Sequence, residues 1–143
     1  MTSKDIHNNL HFVPLITPAA ARTDNTAIVS AIIDTFGYES VELVLITGAN
    51  TDANATFAVL VEDGDNSGLS DNAAVADAQL IGLESAAGFT FADDGECRKI
   101  GYVGIKRYVR MTVTPSGNDA GNIFISGVAV LGNPRRAPTP ALT

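Results

Sequence analysis

The sequence predicts an all-β fold, an antiparallel β-sandwich or jelly roll, and three observations carry that reading. Tyr108 to Thr114 alternates strictly, with Val109, Met111 and Val113 apolar against Tyr108, Arg110, Thr112 and Thr114. A period of two is the mark of a strand with one buried face. Two further stretches, Glu39–Thr47 and Ile123–Leu131, are apolar on both sides of the pleat apart from Glu42 and Ser126. Strands of that kind sit centrally in a sandwich or cover a subunit contact. Short runs separated by Gly, Asn and Asp turns give about seven to nine strands, and that spacing fits a sandwich. The strand order is not readable at this stage.

Taken in order, residues 1–22 read as an N-terminal arm. Its apolar stretch from Leu10 to Ile16 is punctuated by Pro14 and Pro18. Proline cannot donate to a sheet ladder, so the segment suits an edge strand or an extended arm. Residues 23–131 form the sandwich. Within them Thr26–Thr35 could be a helix capped by Asp24 or Asn25, but Ile28, Val29, Ile32 and Ile33 are β-branched and favour a strand. Phe57, Val59 and Val61 give another apolar face, ending in the acidic turn Glu62-Asp63-Gly64-Asp65. Asp71–Leu83, with its four alanines, reads as a short helix or a loop crossing between sheets. Arg98–Val103 leads through Gly104-Ile105-Lys106 into the Tyr108 strand, which is the signature of a hairpin. From Gly132 to Thr143 the proline-rich chain is expected to be an extended tail.

Composition narrows the function. The chain has 143 residues, 45% hydrophobic and 17% charged, so it makes one domain and is too apolar for a disordered chain. A membrane helix needs about 18 uninterrupted apolar residues, and the longest run, Val41–Ile46, is broken by Glu42. The N-terminus lacks the basic-then-apolar layout of a secretory signal, so export by that route is not expected. Nine basic against sixteen acidic side chains leave a net charge of −7, which disfavours phosphate backbones. Cys97 is the single cysteine, which excludes an internal disulfide framework and a multi-cysteine zinc site. No enzymatic activity and no cofactor are expected. No GxSxG elbow, GxxxxGK[ST] or GxGxxG occurs. His7 and His11 are spaced i, i+4 in the arm but lack the glutamate of a zincin helix, and they read as solvated side chains. Asp93, Asp94 and Glu96 would oppose a Cys97 thiolate while Arg98 and Lys99 would favour it, and the thiol reads as an ordinary strand-edge group.

Two charged features remain. Asp63-Gly64-Asp65-Asn66-Ser67-Gly68-Leu69-Ser70-Asp71 places oxygens at positions 1, 3, 5 and 9 of a calcium-loop count, with Asp63, Asp65 and Asp71 as the carboxylates. The twelfth position is Ala74 instead of a bidentate glutamate, and the same residue types make plain turns. Arg98, Lys99, Lys106, Arg107 and Arg110 all fall on the expected hairpin. Either they pair across strands with Asp93, Asp94 and Glu96, or they form a docking face for an acidic partner. With nine aromatic residues and no tryptophan, a stacking platform for nucleic acid or sugar is poorly supplied. The sequon Asn54-Ala55-Thr56 is read as chance in a chain without an export signal.

Several stretches resemble small proteins of the head-gene modules of tailed bacteriophages and prophages. They are Ile33–Ser40, Phe57–Asp63, Phe89–Asp94, Ile100–Arg110 and Val128–Pro134, with the Gly37-Tyr38-x-Ser40 step and the Lys106-Arg107-Tyr108-x-Arg110 strand as the most distinctive elements. The resemblance spans roughly residues 25–138 and includes no catalytic motif. It implies a capsid-associated virion protein, whether decoration, cement or minor head protein, with the major capsid protein as partner. A homo-oligomer, trimer or pentamer, would match local capsid symmetry. The contact residues expected for that role are Arg98, Lys99, Lys106, Arg107 and Arg110, together with Phe12 and Leu15 of the arm. Nucleic acid and membrane are not expected as partners. The alternatives are a sandwich module binding carbohydrate or protein, a neck or tail component, and a hydrolase using Asp93, Asp94 and Glu96.

Overall fold

The computed structural model describes residues 4–140 and shows two antiparallel sheets packed face to face. The strands are β1 (His11–Ile16), β2 (Ile28–Val29), β3 (Ile33–Asp34), β4 (Tyr38–Asn50), β5 (Thr56–Gly64), β6 (Ala73–Ala74), β7 (Leu80–Ile81), β8 (Phe89–Thr90), β9 (Cys97–Tyr102), β10 (Tyr108–Ser116) and β11 (Ile123–Pro134). A 3-10 turn at Asp77–Gln79 and a single helical turn, α1 (Glu84–Ala87), complete the order. The first sheet runs β1-β11-β4-β9-β7, and the second runs β2-β10-β5-β6, with β3 also on β10 and β8 also on β5.

The two-sided apolar stretches are next to each other. β4 and β11 form the long central pair of the first sheet, in register from Tyr38↔Pro134 to Thr47↔Ile125, with a shift before Asn50↔Ile123. Their inward side chains, Val41, Leu43, Leu45, Ile125, Ala129 and Leu131, meet Phe57, Val61, Val109, Met111 and Val113 of the second sheet. The alternation read from Tyr108 to Thr114 is realised in β10, whose apolar positions are fully buried. Of the ambiguous stretches, Thr26–Thr35 supplies two short strands on the edge of β10, as its β-branched residues favour. Asp71–Leu83 crosses from the second sheet at β6 to the first at β7.

Two sequence expectations are corrected. β9 and β10 do not form a hairpin: β9 pairs with β4 and β7, whereas β10 pairs with β5, β2 and β3. Residues 103–107 are an arch from one sheet to the other. Both strands turn an apolar face inward, Ile100 and Tyr102 against Val109 and Met111, and only opposite sheets can bury both. The arm takes the edge-strand form that its prolines allow, and the second correction is to its separation from the 23–131 body. β1 is hydrogen-bonded along β11, and Leu15, 1% exposed, lies in the core together with Ile16. The sheet thus takes in residues on both flanks of the 23–131 body, since β11 continues to Pro134. Beyond it the tail folds back on the N-terminal segment, where the Thr139 amide donates to the Asn8 carbonyl (2.9 Å) and its hydroxyl to that of Leu10 (2.7 Å).

Candidate functional site

The strand directions bring the loops to two opposite ends. One end collects residues 35–37, 65–72, 103–107 and the tail from 135; the other collects 17–27, 51–55, 91–96 and 117–122. The first of these ends carries the most conspicuous surface. Tyr102 closes β9 there, 3% exposed, and its hydroxyl donates to Asp63 Oδ2 (2.7 Å) while accepting the Lys106 amide (3.1 Å). Burial, reinforced by the Asp63 carboxylate, holds the phenol well above the ordinary tyrosine range. Anchored at both feet, the arch projects Ile105 into solvent at 89% exposure.

Phe36, 66% exposed, stands across from it. Arg107 donates from Nε and Nη2 to the two Asp34 oxygens, both at 2.8 Å, and its guanidinium lies over the Phe36 ring at 4.7 Å and the Tyr108 ring at 5.1 Å. The Arg107 hydrogen bonds hold the Asp34 carboxyl below the usual range, opposed by partial burial. Arg135 Nε donates to Glu39 Oε1 at 2.8 Å. Between these loops lies an open cavity of about 490 Å³ lined by Phe36, Tyr38, Val103, Ile105, Arg107 and Arg135. The result is an apolar tip ringed by three ion pairs, Arg107–Asp34, Arg135–Glu39 and Lys106–Asp65, whose side chains are already oriented.

The five basic residues expected on one docking face are dispersed. Arg98 pairs with Asp93 (3.0 Å) and Glu96 (2.8 Å) at the far end. Lys99 is exposed on the outside of the first sheet, Lys106 pairs with Asp65 beside the tip, and Arg110 pairs with Glu62 (2.9 Å) on the outside of the second sheet. Cross-strand pairing is therefore what the sequence cluster expresses, with Arg107 alone presented at the tip. Leu15 cannot serve as a contact, because the core covers it. Phe12, opposite Val130, is exposed on the outer surface of the first sheet.

The acidic loop is held by other groups. Asp63 accepts the Tyr102 hydroxyl, Asp65 pairs with Lys106, and Asp71 accepts the amides of Asp65 (2.8 Å) and Asn66 (3.1 Å). Those two amides hold the Asp71 carboxyl below its ordinary value. Among the described residues no group of three or more His, Cys, Asp or Glu side chains is placed to hold a metal ion. Asp93, Asp94 and Glu96 are also engaged: Asp93 takes the Thr90 amide (2.7 Å) and shares the Arg98 guanidinium with Glu96, while Asp94 takes the Asn50 amide (2.8 Å). His11 is not simply solvated as expected. Its ring stacks on Tyr38 with centroids 5.6 Å apart, whereas His7 is exposed. Cys97 is an exposed thiol at the start of β9.

No protein-family model and no curated protein matches the chain. Solved structures do. PBSX exported protein XepA matches with a TM-score of 0.54 at 13% identity, over 99% of this chain and 42% of that one. A xylan-binding module, CBM15, matches with a TM-score of 0.43 at 10% identity over 92% of this chain and 95% of its own. Infectious bursal disease virus, Gx strain, gives 0.46 at 14% identity, over 90% of this chain and 35% of that one. The likeness is one of fold. It is that of a β-sandwich, and this chain spans less than half the length of XepA.

Sequence reasoning missed the composition of the outer surface of the first sheet. Its outward positions run in rows across the strands. The first row is Phe12, Val130, Glu42, Gly101 and Ile81, one from each of the five strands. The second is Pro14, Val128, Val44 and Lys99, the third is Ser126, Ile46 and Cys97, and Phe124 lies beyond, over Gly48. Glu42 and Lys99 are the only charges in these rows. The signal was present in the two-sided apolar runs, but only the sheet order shows that their second side faces solvent.

Proposed function

We propose that this chain is a structural, non-enzymatic virion protein of a tailed phage that binds the capsid lattice, as a decoration, cement or minor head protein. The observation that carries it is the tip formed by Ile105 and Phe36 beside Arg107. An exposed aliphatic and an exposed aromatic side chain, rimmed by guanidinium groups, are the composition of a protein-docking contact. The arch is braced by the buried Tyr102–Asp63 hydrogen bond and the tip by the bidentate Arg107–Asp34 pair, so little ordering is lost on docking. The β-sandwich supports a binding or structural role, and the resemblance of the Ile100–Arg110 stretch to head-module proteins names the lattice, with the major capsid protein as the surface met.

The test is quantitative mass spectrometry of purified particles carrying either the natural chain or an Ile105→Asp or Phe36→Asp variant. Tens to hundreds of copies per particle are expected for the natural chain, the range of a symmetric lattice assembly. Each tip variant is expected to lose most of that occupancy while its circular dichroism melt is unchanged. A handful of copies moves the protein to the neck or tail, and absence from particles leaves the sandwich binding module as the reading.

A further inference from the structure

The outer surface of the first sheet needs an occupant of its own. Its rows expose Phe12, Ile46, Ile81 and Phe124, with Ile81 62% and Phe124 53% exposed, and hold the half-buried Val44 and Val128 between them. The corresponding surface of the second sheet is mixed, with Arg110, Thr112, Thr114 and Glu62 interspersed with Val29, Leu60 and Ala58. A contiguous apolar sheet face of this kind marks a contact surface.

We propose that a second copy of this chain covers this face, its sheet packed on the first about a two-fold axis that runs along the strands over β4. Three observations select a second copy over a foreign partner. The first is the strand order. β4 is the middle of five strands, so a two-fold axis over it lays β1 on β7, β11 on β9 and β4 on β4. The first row then sets Phe12 at one edge against Ile81 at the other edge of the second copy, and the same contact recurs on the other side. Val44 and Ile46 meet their own images at the centre, as does Glu42, each carboxylate neighboured by the Lys99 of its own copy one row along.

The second observation is charge. The chain carries −7, yet Glu42 and Lys99 cancel on this face, so two like-charged molecules meet where their repulsion is least. Those two residues are also diagonal neighbours, since Glu42 opposes Gly101 and Lys99 opposes Val44. The third is size. Four interstrand spacings by six residues of strand give about 19 by 20 Å, or about 400 Å² of flat area per copy. Doubled, about 800 Å² before side-chain relief is counted places the pair at the weak end of specific contacts, in the micromolar range or above. The axis also points both Ile105 tips the same way. The pairing is independent of the lattice reading and replaces the three- or five-fold order expected from the sequence.

Sedimentation velocity on the full chain from about 1 to about 500 µM tests it, a range chosen to bracket weak specific contacts. A concentration-dependent dimer is expected, and Val44→Asp is expected to weaken it at least about tenfold. Val44 points away from the core, and a circular dichroism melt checks that the variant still folds. The native thiol gives a second readout: Cys97 lies in the third row, so its reaction with a thiol reagent slows as the natural chain is concentrated but not in Val44→Asp. A third fixes the register. In a Cys97→Ser background, a Phe12→Cys chain mixed with an Ile81→Cys chain forms the mixed disulfide in preference to either homodimer. A chain that stays monomeric throughout, a trimer or pentamer, an undiminished Val44→Asp dimer, or a Phe12→Cys chain that links only to itself overturns the proposal. No particle enters these measurements, so they fail or succeed separately from the lattice reading.

Discussion

At the scale of single residues, Tyr102 is the side chain on which the arch depends. It fills the core with its ring and spends its hydroxyl on the buried Asp63 carboxylate and the Lys106 amide. Removing the hydroxyl strands a charged acceptor, and the loss of a buried partner costs about 1–3 kcal/mol. Tyr102→Phe is expected to lower stability by that amount at neutral pH in urea denaturation. A second signature follows from the raised phenol. The folded state keeps its proton to higher pH than the unfolded chain, so the stability is present below the ordinary value of 10.0 and is lost as pH climbs above it. Stability in Tyr102→Phe is expected to fall less steeply over that alkaline range, and parallel curves for the two proteins would show that the phenol does not titrate against folding. Glu42 gives the same sign on the acidic side. Burial lifts its carboxyl, with Lys99 opposing, so stability held below the ordinary glutamate value of 4.5 is given up as pH rises through it. Glu42→Gln is expected to remove that loss and to gain on the natural chain at neutral pH, measured by thermal melts from acid to neutral. Pairing of this kind was only partly legible in the sequence. Arg98 finds Asp93 and Glu96 close by along the chain, as the acidic turn implied. Arg110 and Arg107, however, reach Glu62 and Asp34, separated by 48 and 73 residues, and only the strand order brings those together.

At the scale of elements, periodicity was the reliable guide and loop length was not. The period of two in β10 and the two-sided apolar runs of β4 and β11 identified a core strand and a central pair. A five-residue connection between β9 and β10 looked like a hairpin because hairpins and sandwich arches use the same short, glycine-bearing links. Which one forms is decided by where the two inward faces find partners, and those partners lie in β4 and β5. The prolines of the arm were similarly ambiguous. Pro14 lacks an amide, which suits the free side of an edge strand, and nothing local says that β11 will pair with its other side. Leu15 settles the element's role experimentally. Truncating a fully buried leucine costs about 2–5 kcal/mol, so Leu15→Ala is expected to lose at least about 2 kcal/mol in chemical denaturation. A loss below about 0.5 kcal/mol, the level of an ordinary surface change, would mean that β1 frays from the sheet in solution.

At the scale of the whole molecule, the two loop ends differ in charge as well as in shape. Arg22 and Arg98 stand against Asp24, Asp52, Asp93, Asp94, Glu96 and Asp119 at the end away from the tip, so that end holds −4 of the net −7. Several of these carboxylates are tied to backbone amides: Asp52 accepts those of Ala120 (2.7 Å) and Asp119 (3.0 Å), and Asp24 accepts that of Thr26 (2.9 Å). The acidic end thus carries excess negative charge on carboxylates held by the backbone, while the Ile105 tip is apolar and bordered by ion pairs. On an acidic lattice surface such a molecule is expected to dock through its charge-balanced apolar tip and to keep the excess carboxylates outward, where like-charge repulsion is avoided. That orientation is directly measurable in a Cys97→Ser background, with a biotinylated cysteine placed at Ala53, exposed at the acidic end, or at Ile105. Streptavidin is expected to capture intact particles that carry the Ala53→Cys chain. The Ile105→Cys label should instead block attachment before assembly, so that the protein remains in the unbound fraction. Both labels are equally accessible in the isolated protein, so a difference on particles reports the docked face. Capture through Ile105 with silence at Ala53 would reverse the polarity and assign docking to the acidic end.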